Sequence, residues 1–599
     1  MYHILRAILI LTALLAAYLV AVTVYFLPQI GLVIVGVLVW KQCRKAYRHT
    51  AHGTARWATP DDIPHLLDGD GLIIGHIDGR VSRLGGVKAL FNSRLSARDA
   101  CRKFLAALYQ KEPRQLVRLV NAVHTAVFAP TGAGKGVSCV IPYLLTCPDS
   151  MVVVDFKGEN YLLTKDARRK MGHRIVVLDP YRITTRSPDT FNPLEFIDRD
   201  ARTALDDCRD LAEMLVIRTA EEKEPHWADS AEVWIAAMIA LVATIAEGAD
   251  KSLQSVRALL TNPEKMAAAI KIMTESDAMD GMLSRLGHQL GHFKDKELSS
   301  TLTTTNRFMR FLDTATIADS TKRSSFQPAD LLKGKMTVYL VLPPDRMRAQ
   351  TALLRMWIGS MLRAVVKGGL QSTKKVHFIL DEAASLGHMD ALDDAVDKLR
   401  GYGVRLTFMW QSIAQLRKCF PDGQDQTLLG NVTQVFFGVN DQQTAEYVSA
   451  RLGESTIVVG SGGTGTSIST SSQSSGQGGS SGSSYSSSSN ENWQLMGRKL
   501  LKPEEVSALP ERVAITFTPG IPPLATRLVR HYEKEFKSLR RLGPVKAAFY
   551  TVRLFLATGM LAVIVTVALR SRNFERRLRT RPTNHAEKRY QIEDLRARL

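Results

Sequence analysis

Short apolar runs, several closed by a polar or acidic residue, recur along the middle of the chain. They cover Thr125–Phe128, Met151–Asp155, Arg174–Pro180, Met336–Leu342, Val376–Leu380, Val404–Trp410, Val435–Val439 and Val513–Phe517. Runs this short and rich in β-branched residues predict buried strands, most of them parallel, with their loops at the carboxyl edge. Between about Ala201 and Asp330 the period changes: apolar residues recur at helical spacing, as in Trp227, Trp234 and the Ala/Ile/Met run that follows. The pattern predicts an α/β domain in two parts, 121–200 and 331–459, split by an all-α domain over 201–330. A closing piece falls at 491–535, where Leu500–Leu509 also resumes structure. Gly460–Asn490 is nearly pure Ser, Gly, Thr and Gln without charge. It buries too little apolar surface to fold alone and reads as a flexible loop over 460–490.

Both ends are apolar in a different way. Ala7–Trp40 is almost unbroken hydrocarbon, interrupted near Pro28-Gln29, and is followed at once by Lys41, Arg44, Lys45 and Arg48. One span needs about 20 residues. The run predicts a transmembrane hairpin over 1–45, with a single tilted span as the alternative, and the basic flank puts the remainder in the cytoplasm. Residues 46–120 then form a membrane-proximal segment. Leu554–Leu569, inside a hydrophobic and basic extension over 536–599, has arginines on both sides. A further span and a membrane-lying helix both fit it.

Charge adds a partner class. Lys and Arg exceed Asp and Glu by 78 to 58, a net charge of +20, which favours nucleic acid or anionic lipid. The six cysteines are scattered without a CxxC pair, which argues for a reducing compartment and against a zinc knuckle.

The chemistry begins at Phe128-Ala129-Pro130-Thr131-Gly132-Ala133-Gly134-Lys135-Gly136. A glycine-rich loop between a strand and a helix can wrap phosphates with its backbone N–H groups while its lysine reaches the outer ones. Pro130 to Val137 are therefore the candidate nucleotide-binding residues: Pro130, Thr131, Gly132, Ala133, Gly134, Lys135, Gly136 and Val137. Ala129 replaces the usual first glycine, and Gly136 replaces the hydroxyl that ligates magnesium. The strand Val376–Leu380 ends in Asp381-Glu382, one carboxylate for magnesium and one to polarise an attacking water. The strand ending at Trp410 delivers Gln411, placed to contact a γ-phosphate, with Gln415 one turn on. Asp155 closes another strand and serves either the site or a turn. Arg400, before Gly401-Tyr402-Gly403, is a candidate arginine finger acting across a subunit boundary, or a surface arginine. His288 and His292 have metal-pair spacing, but Gly287 and Gly291 and the lack of a glutamate between them argue against it. The pair Trp227 and Trp234 reads as core rather than as a base-stacking platform.

Taken in order, these boxes resemble the TraG-like coupling proteins of conjugation and type IV secretion. The matching residues are Gly53–Ala58, Ala129–Pro142, Val152–Asn160, Phe191–Leu194, His377–Gly387 and Arg400–Leu416, within a likeness from about Gly53 to Tyr532. The resemblance implies a RecA-like P-loop nucleotide-binding domain with an inserted all-α domain and N-terminal transmembrane helices, multi-pass in the bacterial inner membrane. It implies a homo-hexameric ATPase using ATP and Mg2+, which brings a relaxase–DNA complex or effector proteins to the secretion channel subunits and acts on single- or double-stranded DNA. In this family the missing hydroxyl at Gly136 is common, which leaves Ser138 or Thr131 beside Asp381 for the metal. Two features depart from the family: the N-terminal hairpin has almost no room for a periplasmic domain, and the extension after Tyr532 lies outside the likeness. A weakly hydrolysing docking platform is the second reading. A double-stranded DNA translocase of the FtsK type is a weaker third, since the tail shows no winged-helix pattern.

Overall fold

The computed structural model describes residues 51–59, 62–67, 71–77, 115–120, 122–218, 224–421, 423–472, 481–533 and 536. The predicted hairpin over 1–45, most of the segment 46–120 and the apolar stretch 554–569 lie outside them.

Eleven strands form one sheet: β1 (Leu72–Ile77), β2 (Gln115–Leu119), β3 (Thr125–Phe128), β4 (Ser150–Asp155), β5 (Arg174–Leu178), β6 (Met336–Val341), β7 (Val376–Leu380), β8 (Val404–Trp410), β9 (Thr433–Phe437), β12 (Val513–Phe517) and β13 (Leu524–Arg527). The order across it is β2-β1-β13-β12-β9-β3-β8-β7-β4-β6-β5. From β9 to β5 every pairing is parallel. From β2 to β9 every pairing is antiparallel. The parallel half is covered on both faces, so strands such as β4, β6 and β7 are buried at every position, as continuous apolar runs require.

The predicted strands are all present, with the one near 435 starting two residues earlier, at Thr433. The antiparallel wing is an addition: β1 and β2 come from the segment read as merely membrane-proximal, and they pair through β13 with the end of the domain.

Helix α1 (Glu159–Lys170) joins β4 to β5. Between β5 and β6, two strands one place from each other in the sheet, the chain builds a helical unit: α2 (Ala204–Leu215), α3 (His226–Ile245), α4 (Leu253–Thr261), α5 (Pro263–Thr274), α6 (Met282–Leu290), α7 (Asp295–Met309) and α8 (Ala315–Thr321). Its centre is α3, where Trp234 and the run Ile235–Ala243 are buried. Among the described residues α3 alone is long and apolar enough to cross a membrane, and 67% of its most apolar stretch is buried within the chain. Trp234 packs edge-on against Phe293 as core, while half-exposed Trp227 donates to Glu224 at 2.6 Å. His292 falls beyond the end of α6, and the His288 Nδ1 is 2.9 Å from Ser284 O, so the two do not form a pair on one helix. The chain returns through β6 to α9 (Met347–Lys367), then α10 (Asp390–Asp397), α11 (Ile413–Cys419), α12 (Gln424–Asn431) and α13 (Gln442–Leu452).

The serine-rich region corrects the sequence expectation. Residues described within 460–490 are not loop but parts of β10 (Glu454–Ser472) and β11 (Ser481–Lys499), an antiparallel ribbon paired from Glu454↔Lys499 to Ser472↔Ser481. A core is one way to order a chain; a ladder satisfying its own backbone N–H and C=O groups is another. Its register starts at a docked base, where Ala55 N donates to Glu454 O and Thr54 bridges Ser455.

Candidate functional site

The site lies at the carboxyl edge of the parallel half, where β3, β8, β7 and β4 end side by side. Ligands in open α/β sheets bind at this edge. After β3 the chain turns through Pro130–Gly134 and enters a helical turn at Gly136–Val140. Gly132 and Gly134 have φ of +88° and +93°, and a Cβ on Gly132 would meet nothing within 4 Å. Backbone conformation, rather than crowding, is what reserves that position for glycine. Consecutive N–H groups in such a turn form an anion-binding concavity.

The Lys135 amine folds back on the loop, donating to Ala129 O at 2.6 Å and to Pro130 O at 3.4 Å. Only 9% of Lys135 is exposed. Burial lowers its pKa, against the pull of Glu382 and Asp381. Those two carboxylates follow β7. Burial, then Glu382, raise the Asp381 carboxyl to about 6 despite Lys135. Glu382 itself is in the left-handed region, φ 51° and ψ 52°, a conformation that costs a non-glycine residue about 1–2 kcal/mol. Its carboxylate is held there by the Gln411 side-chain amide, which donates to its two oxygens at 3.2 and 2.9 Å. Gln411 N in turn donates to Gln415 Oε1 at 2.8 Å. The pairing of β7 with β8 brings the two strand ends together.

Around these groups is an open cavity of about 1140 Å³, ample for a nucleotide with its metal. Pro130, Thr131, Gly132, Gly134, Lys135, Gly136 and Val137 line it with Asp381, Glu382 and Gln415. Ala133 is buried behind the loop, against Gly438. Asp155 lines the cavity, and its carboxylate also accepts from Tyr161 N at 2.9 Å in the first turn of α1. Burial lifts its pKa to about 6 as well.

Ser138 and Arg400 are not brought to the cavity, and Gln411 meets its wall only through the bond to Glu382. Ser138, offered as a metal ligand, is 2% exposed and lies outside the cavity wall. The helical turn after Lys135 carries position 138 behind the loop, whereas exposed Thr131 stays on the wall. Arg400 is exposed at the amino end of β8, the far end of that seven-residue strand, about 20 Å from the cavity edge at 3.3 Å per residue. It does not reach the site of its own chain.

Several cavity residues had no local signal in the sequence. Lys157, Arg348 and Lys418 are exposed cations on the wall. Arg218 reaches it from the segment just after α2, the first helix of the helical unit, paired with Asp229 at 2.9 Å and Glu232 at 2.6 Å. His388 lines it too, and its hydrogen bond to Asp393 raises its pKa. Only Lys157, two residues after the acidic strand end Asp155, could have been found by position. The oxygen donors of the wall, the carboxylates of Asp381 and Glu382 and the Thr131 hydroxyl, suit a hard divalent cation.

Comparison with known proteins agrees with this arrangement. A protein from Rhizobium radiobacter called conjugal transfer protein TraG is 30% identical over 410 residues, covering 67% of this chain and 61% of its own. Protein VirD4 of the same organism is 27% identical over 499 residues, covering 82% of this chain and 65% of its own. The chain thus spans just over three-fifths of the length of these relatives. Among solved structures, the plasmid coupling protein TrwB in complex with the ATP analogue ADPNP aligns with a TM-score of 0.53 at 16% identity, over 80% of this chain and 96% of that one, which shows a shared fold. The family model for type IV secretory system conjugative DNA transfer proteins matches residues 57–551. The resemblance drawn from the sequence boxes is borne out: the chain belongs to the type IV secretory system conjugative DNA transfer family.

Proposed function

We propose that this chain is a membrane-associated ATPase that couples ATP hydrolysis to delivery of nucleoprotein or protein substrates into a type IV secretion channel. The observation that carries this reading is the convergence of Lys135, Asp381 and Glu382 on one open cavity, with Gln411, from the strand between theirs, bonded to Glu382. The ADPNP in the TrwB structure supports a nucleotide as the ligand.

In this account the loop N–H groups and Lys135 hold the β- and γ-phosphates. The phosphate oxygens take over from Ala129 O and Pro130 O as acceptors for the lysine amine, so binding releases the loop from its own cation. Asp381, with Thr131 in the loop, would hold magnesium, which when bound neutralises charge on the phosphates. Glu382 accepts the proton of the attacking water, and Gln411 fixes the direction in which its carboxylate points. Arg400 acts on the cavity of a neighbouring subunit in a homo-hexameric ring. DNA, relaxase or effector proteins and channel subunits are the partners, and the apolar N-terminus is the inner-membrane anchor.

The test is turnover by the full-length protein, with and without single-stranded DNA, across salt. Stimulation by DNA that fades steeply as salt rises supports the motor. Cargo binding that is insensitive to salt and to Lys135→Ala, without turnover, replaces it with a docking platform.

A further inference from the structure

One buried cation joins a segment of the cavity wall to the helical unit. Arg355, in the first half of α9, is 4% exposed, and no carboxylate pairs with it among the described residues. Its guanidinium is spent on main-chain carbonyls of two separate segments. Nη1 donates to Leu386 O at 2.9 Å and His388 O at 2.5 Å. Nε donates to Met214 O at 3.1 Å, and Nη2 to Val216 O at 3.5 Å. The first pair closes the turn that begins at Glu382 and runs through cavity-lining Ala384, Ser385 and Gly387. The second pair ends α2, and the next two residues, Ile217 and Arg218, line the same cavity from the helical side.

The rest of α9 makes this bridge stiff. Arg355, Gly359, Arg363 and Lys367 recur every four residues, forming one stripe along the helix. Each meets α2. A Cβ on Gly359 would lie 2.4 Å from Met214 Sδ, so glycine is what lets the helices approach. Lys367 donates to buried Asp207 at 2.5 Å, and Arg363 bonds both Asp207 and Asp210. A buried arginine that lost either carbonyl pair would leave unpaired donors in a dry interior, at a cost of about 1–3 kcal/mol. That cost favours motion of the two segments together.

We propose that Arg355 is a positioning residue that transmits the nucleotide state of the Glu382–His388 turn to α2 and, through it, to the helical unit. The inference rests on the nucleotide site proposed above. Because coupling between sites is reciprocal, a macromolecule bound on the helical unit alters nucleotide affinity through the same bridge. The chemistry asks for no titration and no second ligand site, only two carbonyl pairs on one planar group.

Hydrogen exchange on the full-length protein, with and without ADPNP and magnesium, tests it. In the wild type, protection of residues 383–388 and of 204–218 should change together, with one nucleotide midpoint. Arg355→Lys keeps the charge but cannot span both pairs. It should bind ADPNP within threefold of wild type and still respond at 383–388, while the response at 204–218 falls at least fivefold. A response at 204–218 that survives intact in Arg355→Lys overturns the proposal. So does a wild type in which 383–388 responds and 204–218 does not, an outcome that needs no variant to fold. Failure of wild type to bind ADPNP at all overturns the nucleotide site first, and this inference with it.

Discussion

Gln411→Ala separates two accounts of the same side chain. The sequence suggests that Gln411 contacts the γ-phosphate; in the structure its amide is committed to Glu382, at 3.2 and 2.9 Å from the two carboxylate oxygens. A hydrogen bond to a charged group contributes about 1.5–3 kcal/mol. Both partners are only partly buried here, so the lower end applies, about 1.5–2 kcal/mol. If that energy keeps the Glu382 carboxylate aimed at the attacking water, its loss lowers kcat about ten- to thirty-fold, since 1.36 kcal/mol is tenfold. The nucleotide is still held by the loop and Lys135, so KM stays within about threefold of wild type. A fall in kcat at constant KM marks an interaction used in the transition state alone. The assay is steady-state phosphate release by the oligomeric protein, with nucleotide affinity measured separately. Gln411→Glu places a like charge against Glu382 and should cost more than the alanine. A KM that rises with kcat unchanged would refute the positioning role and return Gln411 to ground-state phosphate binding.

Three further outcomes follow from the geometry. Burial raises the Asp381 carboxyl to about 6; below that pH the acid is protonated and cannot ligate, so the magnesium concentration for half-maximal turnover should rise about tenfold per unit well below pH 6, and a flat profile from pH 5 to 8 contradicts it. Gly359→Leu drives a bulky side chain into Met214, overpacking worth about 1–3 kcal/mol that exceeds the roughly 1 kcal/mol regained in helix propensity; differential scanning calorimetry should show a lower melting midpoint, and an unchanged or higher one means that α2 and α9 are not tightly apposed. If Arg400 serves a neighbour's cavity, Arg400→Ala and Lys135→Ala are each inactive, but equal random mixing before assembly leaves about a quarter of ring interfaces with both groups; absence of any recovered phosphate release excludes action across the boundary.

Much of the parallel core was legible because buried strands are written as compact apolar runs. Thr125–Phe128, Val376–Leu380 and Val404–Trp410 have the same bounds in the sequence pattern and in the structure, as does Val513–Phe517 in the antiparallel wing. Strands β1 and β13 of the antiparallel wing were not, because β1 contains Gly75 and His76 and β13 is four residues long; nothing local distinguishes them from loop until they pair. The ribbon of β10 and β11 escaped for a related reason: composition reports the burial a segment can achieve, not the backbone partner it finds. At the cavity, Lys135, Asp381 and Glu382 announce themselves by their position after β-runs. Ser138 is buried off the cavity wall; spacing along the chain does not say which side of a helical turn faces the cavity. Arg218, Arg348 and Arg355 are single arginines in helical text, and only the packing of α2 and α9 gives them a place.

The central claim is that this cavity hydrolyses ATP to drive transfer. The most direct measurement is magnesium-dependent phosphate release by the full-length, oligomer-competent protein, as wild type, Lys135→Ala and Glu382→Gln, each with and without single-stranded DNA. The account predicts turnover by the wild type that DNA stimulates, and loss of both in the two variants while each remains folded. Turnover at the wild-type rate in either variant would contradict it.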